Sequence, residues 1–308
     1  MILQEAVIIG LGMIGASFGA ALQQHVGYQR VYGYDIDPQA VERALERGHI
    51  TERLRVDGSF GELRSMTSLV VLAMPIEATL HFIKAHASSL AAGALVMDVG
   101  STKVAIVDAM KRYIRPTVGA IGGHPMTGPV TMRTNTPSAD LFQDCTFVLT
   151  PLSGNDDMRS YTGIASAIVK RIGARPVVMD AERHDRLVAY ISHVNRLLPI
   201  ALLAAARQQQ DELIWSLAAG SFREAARPAA DDLGFWRDVF ATNTQGIPQA
   251  LRSIAGQIET LAQAIERGDL ALIEQLSAQA QADWAQRYKA NDTPHIDSSS
   301  TASEEQSS

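Results

Sequence analysis

Short segments rich in apolar and β-branched residues alternate with helical segments over about the first 180 residues of the chain. Several of the short segments are almost continuously apolar, as in Leu69–Met74. Apolar strands separated by helices are typical of a parallel sheet that is covered on both faces. The predicted strands are Glu5–Ile9, Val31–Tyr34, Leu69–Met74, Leu95–Val99, Val118–Ile121, Phe147–Leu149 and Pro176–Met179, and the predicted helices lie around 13–24, 38–48, 77–90, 103–112 and 157–172.

The pattern changes after Asp180, where the strand signals largely vanish. Residues 181–207 are predicted to form one long helix that Pro199 kinks, and shorter helices are expected around 211–218, 221–227 and 232–242. Apolar residues then recur at helical spacing, at Ile254, Ile258, Leu261 and Ile265 and again at Leu272, Ile273 and Leu276. We therefore predict an α/β domain over 1–180, an all-helical domain over 181–289 and a disordered tail over 290–308.

Composition excludes several classes of protein. With 46% hydrophobic residues among 308, the chain can bury two cores and is not disordered in bulk. A net charge of −6 and scattered basic residues argue against nucleic acid as a partner. No apolar stretch approaches the roughly 20 residues of a membrane helix. The N-terminus has an acid at position 5 and no basic leader, so we expect no secretory signal and a cytoplasmic location.

The sequence shows no sign of a metal site. The single cysteine, Cys145, can form neither an internal disulfide nor a multi-thiolate centre, and its apolar neighbours predict a packed thiol. The eight histidines show no metal-ligand spacing.

A glycine-rich turn, Gly10-Leu11-Gly12-Met13-Ile14-Gly15, joins the first predicted strand to the first predicted helix. In such turns the first glycine permits the bend, the second lets the backbone approach a pyrophosphate, and the third allows close helix–strand packing. Asp35 ends the next predicted strand, where a carboxylate accepts hydrogen bonds from the adenosine ribose and repels a 2′-phosphate. The sequence therefore predicts a Rossmann-type, doubly wound, mostly parallel sheet that binds NAD through Gly10, Gly12, Met13, Ile14, Gly15 and Asp35.

Polar residues follow three later strands, at the edge where open parallel sheets bind ligands. Ala73 and Pro75 are expected to shape the nicotinamide pocket. Ser101 or Thr102 is either a helix N-cap or a substrate contact. His124 lies just past a predicted strand, between a glycine pair and a proline. Since imidazole has a pKa near neutrality, His124 is the expected proton acceptor for an alcohol whose carbon loses hydride.

Taken in order, these motifs resemble those of the prephenate dehydrogenase family, which includes the arogenate dehydrogenases. The resemblance covers about residues 4–285. It is carried by the glycine turn and by Asp98-Val99-Gly100-Ser101-Thr102-Lys103, Gly123-His124-Pro125-Met126-Thr127-Gly128, Leu149-Thr150-Pro151, His184-Asp185, Ser192-His193, Gly220-Ser221-Phe222-Arg223-Glu224-Ala225-Ala226-Arg227 and Phe235-Trp236-Arg237-Asp238. It implies a Rossmann domain, a helical dimerisation domain that makes the protein a homodimer, and NAD-dependent oxidative decarboxylation of prephenate to 4-hydroxyphenylpyruvate, on the route to tyrosine.

The resemblance also implies roles by position. His124 would deprotonate the C4 hydroxyl of the substrate, Ser101 would orient that hydroxyl, and Arg227 would pair with a substrate carboxylate. His193 and Arg196 would bind substrate from the long helix. Arg196 stands where a second histidine is common in the family, and alanine precedes Arg227 where threonine is common. Arg196 is therefore expected either as a second anion contact or as a solvated helix residue.

Other functions are compatible with parts of the pattern. Arogenate and 4-amino-4-deoxyprephenate are alternative substrates that nothing in the sequence excludes. A dinucleotide-sensing protein without catalysis would keep the glycine turn but would not need His124 or Arg227. A β-hydroxyacid dehydrogenase usually relies on a lysine in the helical domain, and here Lys170 and Lys289 lie only at its margins.

Overall fold

The computed structural model describes residues 5–56, 60, 63, 69–127, 136–152 and 157–288. The described strands form one eight-stranded sheet in the order β3-β2-β1-β4-β5-β6-β7-β8. Neighbouring strands pair in parallel except for β6 and β7, which are antiparallel. The strands are β1 Glu5–Ile9, β2 Arg30–Tyr34, β3 Glu52–Arg53, β4 Leu69–Leu72, β5 Leu95–Asp98, β6 Gly119–Pro125, β7 Thr146–Pro151 and β8 Arg175–Val178.

Helices connect the strands and are the regular elements that the structure describes beyond β8. Those between the strands are α1 Met13–Ala21, α2 Pro38–Glu46, α3 Ile76–His86, α4 Val104–Tyr113 and α5 Asp157–Arg171. Those after the sheet are α6 Ala181–Val188, α7 Val194–Arg207, α8 Leu213–Leu217, α9 Gly220–Ala226, α10 Gly234–Thr242, α11 Gly246–Glu266 and α12 Leu270–Tyr288. The predicted fold class, a doubly wound and mostly parallel sheet followed by helices, is confirmed.

The order of the strands reverses between β1 and β4, because the chain runs outward to β3 on one side and to β5 on the other. Such a reversal opens a crevice at the carboxyl ends of the strands, where open α/β sheets bind their ligands. The glycine turn after β1 therefore lies at the mouth of this crevice.

Two details of the sheet differ from the sequence expectation. The pair of residues in β3 was not predicted, since Glu52 and Arg53 are polar and exposed. The strand around His124 is also longer than predicted, because pairing with β7 continues as far as Pro125 and Phe147. His124 therefore lies within β6 rather than after it, and its backbone is held opposite Val148.

Aromatic rings fill the core between α1 and the β6–β7 side of the sheet. Phe18 meets Phe142 and Phe147 edge to face, with ring centroids 5.5 and 6.3 Å apart. Cys145 is buried next to this cluster, and burial raises the pKa of its thiol to about 11. A thiol in this setting packs as an apolar group and is a poor nucleophile.

The long helix over 181–207 is interrupted at Ala189–His193 by a π-helical turn, whereas Pro199 lies inside α7 without ending it. The side-chain amide of Asn195 donates to the Ile191 carbonyl at 3.0 Å, within this irregular turn. Although the sequence predicted no membrane helix, residues 181–207 are long and apolar enough to span one by length and composition. Its buried His184 and His193 bond to other protein groups, as expected of a helix packed on protein.

The described residues form two compact units that divide between Ala250 and Leu251. In the second unit, the rest of α11 and α12 flank Gly268, which has a positive φ of 68°. The predicted helical spacing from Ile254 to Leu276 falls on these two helices. The predicted boundary at 180 stays a prediction, and the predicted tail over 290–308 lies outside the described residues.

Candidate active site

The glycine turn has the shape that a dinucleotide requires. Gly10 has a φ of 95°, and a Cβ there would lie 2.6 Å from the Ala73 carbonyl oxygen. A Cβ at Gly15 would lie 1.9 Å from the Gly10 oxygen, so this position needs glycine for helix–strand packing. A Cβ at Gly12 would meet nothing within 4 Å. Gly12 therefore faces open space at the N-terminus of α1, where free amides favour a phosphate group.

Asp35 closes the other side of the turn. Its Oδ2 accepts a hydrogen bond from the Leu11 amide at 2.7 Å, and its Oδ1 accepts one from the Asp37 amide at 2.9 Å. Each carboxylate oxygen keeps a further lone pair, because an ionised carboxylate has about four acceptor sites. The carboxylate is therefore held in place and still has capacity for two hydroxyl donors.

A cavity of about 770 Å³ lies between the ends of β1, β2 and β4 and the helices α3 and α10. Pro75 lines it and begins α3, while Ala73 packs under Gly10 and Gly15. The half-buried Met13 and Ile14 pack on the sheet core instead. The other lining residues include Ile9, Tyr34, Ile36, Phe60, Met74, His81 and Phe82. The cavity is largely apolar and is large enough for a flat heterocycle.

A buried ion pair fixes the backbone on one side of His124. Lys103 is fully buried, and its Nζ donates to the Asp98 carboxylate and, at 2.6 Å, to the Gly123 carbonyl. Asp98 also accepts from the Gly123 amide at 3.1 Å and from the Gly100 amide at 2.8 Å. Burial lowers the pKa of Lys103, and the adjacent Asp98 carboxylate opposes that effect. Both polar groups of Gly123, the residue before His124, are therefore held by charged partners.

His124 stands at the end of a chain of three side chains. Its Nδ1 lies 2.9 Å from Nε2 of His184, and Nδ1 of His184 lies 2.7 Å from Oδ1 of Asp185. His184 and Asp185 are both buried. Burial, followed by the neighbouring His184, Lys103 and His193, holds the pKa of His124 well below its usual value. His124 is therefore neutral at physiological pH.

The hydrogen bonds determine which nitrogen of each ring carries a proton. Ionised Asp185 can only accept, so Nδ1 of His184 donates to it and Nε2 of His184 carries the lone pair. That lone pair accepts from Nδ1–H of His124, which leaves Nε2 of His124 without a proton. The arrangement thus assigns His124 the tautomer of a base, with its free nitrogen turned away from His184.

Asp185 also caps α4. Its two oxygens accept from the backbone amides of Lys103 and Val104, at 2.7 and 3.0 Å. The expectation that Ser101 or Thr102 provides this N-cap is therefore wrong, because a carboxylate from α6 takes both amides. The Thr102 hydroxyl donates to Thr242, which itself donates to the Asp238 carbonyl. The Ser101 hydroxyl has no hydrogen bond within the described parts of the chain and is half-buried.

The hydrogen-bonded chain Asp185–His184–His124 is called the relay below. His193 lies next to it, in the π-helical turn. The side-chain amide of Asn243 donates to its Nδ1 at 3.2 Å and to the Asp185 carbonyl at 2.7 Å. Burial lowers the pKa of His193 to about 4, and the nearby Asp185 partly opposes this effect. The ring of Trp236 packs edge to face on His193 at 6.2 Å. His193 therefore links the relay to α10 in a fully buried setting.

The two arginines from the sequence prediction lie in different surroundings. Arg196 has a side chain that is 12% exposed, and its Nη1 donates to the Asp231 carboxylate at 2.6 Å. Arg227 is exposed and lines a cavity of about 430 Å³ with Trp215 and Phe222. No hydrogen bond between Arg227 and His124 or Ser101 is found in the described structure. The second alternative for Arg196, a solvated residue, is wrong because Asp231 pairs with it and Trp236 covers it.

Sequence reasoning missed several members of the site. Lys103, His184 and Asp185 lie in runs that carry the family resemblance, yet they received no role. Asn243 had no sequence signal, since a single amide side chain on a helix end is common. The clearest hint in the sequence was the place of Lys103, which follows a predicted apolar strand and begins a predicted helix. A lysine buried at such a place needs a charged partner, because lysine is almost never fully buried unless it is paired. The described residues contain no group of three or more potential metal ligands.

Two family models match the chain. One is described as prephenate dehydrogenase, nucleotide-binding domain, and matches residues 18–178. The other is described as prephenate dehydrogenase, dimerization domain, and matches residues 180–278. Together they span the sheet from β2 to β8 and most of the helical region.

Known proteins show the same similarity. The chain is 28% identical over 267 residues to the prephenate dehydrogenase of Bacillus subtilis, covering 85% of this chain and 70% of that one. It is 27% identical over 274 residues to the cyclohexadienyl dehydrogenase of Zymomonas mobilis, covering 87% and 90%. Among solved structures, prephenate dehydrogenase from Aquifex aeolicus in complex with hydroxyphenyl propionate and NAD+ has the same fold, with a TM-score of 0.81, 22% identity and coverage of 93% and 99%.

Proposed function

The chain belongs to the prephenate dehydrogenase family, and we propose that it uses NAD for the oxidative decarboxylation of prephenate to 4-hydroxyphenylpyruvate. It is an oxidoreductase with a nucleotide-binding domain and a dimerisation domain. The observation that carries the proposal is the Asp185–His184–His124 chain of hydrogen bonds, at the edge of the sheet that also bears the glycine turn. A non-catalytic dinucleotide-sensing protein would have no use for such a base.

The residues of the crevice fit NAD. The open space at Gly12 and the amides at the start of α1 would hold the pyrophosphate, and Asp35 would accept the ribose hydroxyls. A 2′-phosphate would lie against the same carboxylate, which favours NAD over NADP. Pro75 would line the cofactor pocket, and Ala73 supports the turn from below. NAD bound there supplies the hydride acceptor.

His124 would act as the base and then as the acid. The C4 hydroxyl of prephenate gives its proton to Nε2 of His124 while hydride leaves C4, which produces a dienone. The C1 carboxylate then leaves as CO2, its bonding electrons make the ring aromatic, and the C4 oxygen takes the proton back from His124. The low pKa keeps His124 unprotonated, and therefore able to accept the proton, and it favours return of that proton to the C4 oxygen afterwards.

Other side chains would bind and orient the substrate. The unpaired Ser101 hydroxyl would orient the C4 hydroxyl toward His124, and the exposed Arg227 would pair with a substrate carboxylate through its planar guanidinium. His193 was expected to bind substrate, but it is 1% exposed and bonds to Asn243, so we propose that it instead supports the hydrogen-bonded chain to His124. Because prephenate carries two carboxylates, it needs fixed cationic groups for orientation as well as for affinity.

Arogenate and 4-amino-4-deoxyprephenate remain second candidates as substrates. The relative from Zymomonas mobilis has a name that covers cyclohexadienyl substrates in general. Arg196, where the family commonly has histidine, lies on α7, directly after the π-helical turn that ends at His193. We further propose a homodimer with domain limits near 1–180 and 181–289, based on the two family models, and a cytoplasmic location, as expected from the sequence.

The first test is the formation of reduced cofactor, followed by absorbance, with purified protein and each of the three substrates. NAD and NADP are compared with each substrate. We expect rapid turnover with prephenate and NAD, and weak turnover with NADP. If only arogenate or the 4-amino analogue reacts, the reaction type stands and the substrate is corrected. If none of the three reacts, the proposed function is wrong.

The second test is His124→Asn, which removes the proton acceptor. We expect kcat to fall by roughly 10²- to 10⁴-fold while the Kd for NAD stays unchanged. His25→Asn is the matched control, because His25 lies on the surface in a pair with Asp140. A His124→Asn variant with wild-type kcat would remove the base from the proposal.

A further inference from the structure

Arg196 connects three segments of the helical region. From α7, its Nη1 donates to the Pro228 carbonyl and to the Asp231 carboxylate, both at 2.6 Å. The carbon of its guanidinium lies 5.3 Å from the centre of the Trp236 ring on α10. Since the side chain is only 12% exposed, water competes little for these contacts. One guanidinium therefore joins α7, the residues after α9, and α10.

The contacts of Arg196 with Pro228 and Asp231 are called the bridge below, and the segment that they hold is the one that carries Arg227. Arg227 begins a short 3-10 turn, Arg227–Ala230, and Pro228 and Asp231 stand within it and directly after it. The hydrogen bonds from Arg196 thus hold both ends of this turn. In the described structure no hydrogen bond or ion pair holds the Arg227 guanidinium itself, although its charge contributes, after that of Arg196, to the lowered pKa of Asp231. The position of Arg227 consequently depends on the position of its backbone.

We propose that Arg196 is a positioning residue, which holds the Arg227 turn in place so that Arg227 can bind the substrate carboxylate. The proposal rests on the function proposed for Arg227 above. Asp231 neutralises the Arg196 charge, and Trp236 covers the guanidinium. The Nε of Arg196 is buried without a hydrogen-bond partner in the described residues, and Nη1 is used by Pro228 and Asp231, so a ligand could meet only Nη2 without a rearrangement. Arg196 therefore acts through Arg227 and not as a second anion contact.

The geometry also explains why a rigid turn matters. A guanidinium on a mobile backbone loses conformational freedom on binding, which weakens the affinity. Two hydrogen bonds to a charged donor restrain the turn before the substrate arrives. Loss of the bridge should therefore raise the KM for the substrate and leave the chemical step at His124 almost unchanged.

The decisive experiment is Asp231→Ala. If Arg196 positions the turn, the KM for the substrate rises by about tenfold, with kcat and the KM for NAD nearly unchanged. If Arg196 binds the substrate directly, the same change frees a cation near an anion site, and the KM stays equal or falls. Asp232→Ala is the matched control. It removes a neighbouring carboxylate whose partner here is the Gly234 amide, and it should leave the KM unchanged.

Variants of Arg196 test the other side of the bridge. Arg196→Met keeps a long stem but has no donor. We expect a rise in KM at least as large as in Asp231→Ala, because this change also removes the hydrogen bond to the Pro228 carbonyl. Arg196→Lys keeps the charge and a donor and should recover part of the loss. The double variant Arg196→Met with Asp231→Ala should be no worse than Arg196→Met alone, because Arg196→Met has already removed the hydrogen bond to Asp231. Additive effects of the two changes would contradict the proposal.

Hydrogen exchange supplies a readout that does not depend on turnover. Peptides spanning 227–233 should exchange several-fold faster in Asp231→Ala than in the wild type or in Asp232→Ala, with no ligand present. Unchanged exchange would overturn the positioning role. If the wild type turns over no substrate, faster exchange still supports the bridge, while the role of Arg227 falls with the proposed function.

Discussion

The hydrogen bonds that His124 shares with its neighbours determine which of its ring nitrogens can accept a proton. Asp185 directs His184, and His184 directs His124, through contacts of 2.7 and 2.9 Å. Burial is the main cause of the low pKa of His124, and His184 is the largest electrostatic contributor after it. Catalysis should therefore be sensitive to His184 although that ring is buried.

We predict that His184→Gln lowers kcat by about tenfold to a hundredfold, since His124 loses the partner that fixes its tautomer. The change also removes a neighbour that depresses the pKa of His124, so that pKa rises. Because activity requires neutral His124, the acidic limb of kcat/KM should move to higher pH. A pH profile of the variant checks this. An acidic limb at the wild-type position would show that His184 does not act on His124.

Asp35 is predicted to set the cofactor preference. In Asp35→Asn the carboxylate charge is lost, while one side-chain oxygen remains to accept from Leu11 or Asp37. We expect the KM for NAD to rise about tenfold and the KM for NADP to fall, because the 2′-phosphate is no longer repelled. Asp37→Asn, at the N-cap of α2, is the control. Equal effects of both changes on the NAD to NADP ratio would contradict the role of Asp35.

At the scale of elements, the sequence predicted the strands and helices well because their apolar patterns are local. β1 was predicted with its observed ends, and the helix starting at Met13 follows from the glycine turn. The antiparallel pairing of β6 with β7 was not predictable, since a strand does not encode the direction of its neighbour. That pairing is what places His124 inside a strand.

The candidate site was predictable only in part, for a similar reason. His124 stands in a distinctive local run, whereas its support comes from residues 60 positions later in the chain. The cap of α4 shows the same limit, because local rules point to Ser101 or Thr102 and the observed cap is Asp185. These contacts join residues that lie far apart in the chain, so a short stretch of sequence does not reveal them.

The π-helical turn at Ala189–His193 gives a prediction about stability and pH. His193 is neutral in the folded chain, with a pKa of about 4, whereas an unfolded histidine has a pKa near 6.5. As the pH falls from 6.5 toward 4, the unfolded chain takes up a proton that the folded chain does not. The free energy of unfolding therefore decreases over that range, by up to about 3 kcal/mol from this residue.

We predict that His193→Asn loses stability less steeply between pH 6.5 and 4 than the wild type does. Asparagine offers an oxygen to the Asn243 amide but does not titrate. Thermal unfolding at fixed protein concentration across this range provides the measurement. His124, whose pKa is also lowered, keeps its own share of the pH dependence in both proteins. Identical slopes would show that His193 is not neutral and buried in the folded chain.

At the scale of the whole molecule, the helical region leaves large apolar side chains uncovered. In α11, Ile258, Leu261 and Ile265 recur at helical spacing and are 58%, 38% and 67% exposed. In α12, Leu270 and Trp284 are 65% and 60% exposed. An exposed apolar stripe of this kind marks an interaction surface, and the family model that covers residues 180–278 describes a dimerisation domain.

We therefore predict that the protein sediments at about twice its mass of 33.2 kDa at micromolar concentration. The double change Ile258→Glu with Ile265→Glu places two charges on the stripe and should shift the sedimenting species toward the monomer, since burying an unpaired carboxylate is strongly unfavourable. Gln257→Glu adds a charge to an exposed position of the same helix, beside the stripe, and should leave the dimer intact.

A wild-type monomer would refute the homodimer. A dimer that survives both changes at Ile258 and Ile265 would instead show that the two copies meet through other residues. The exposed Ile191 of the π-helical turn and Ile200 of α7 would be the next to vary.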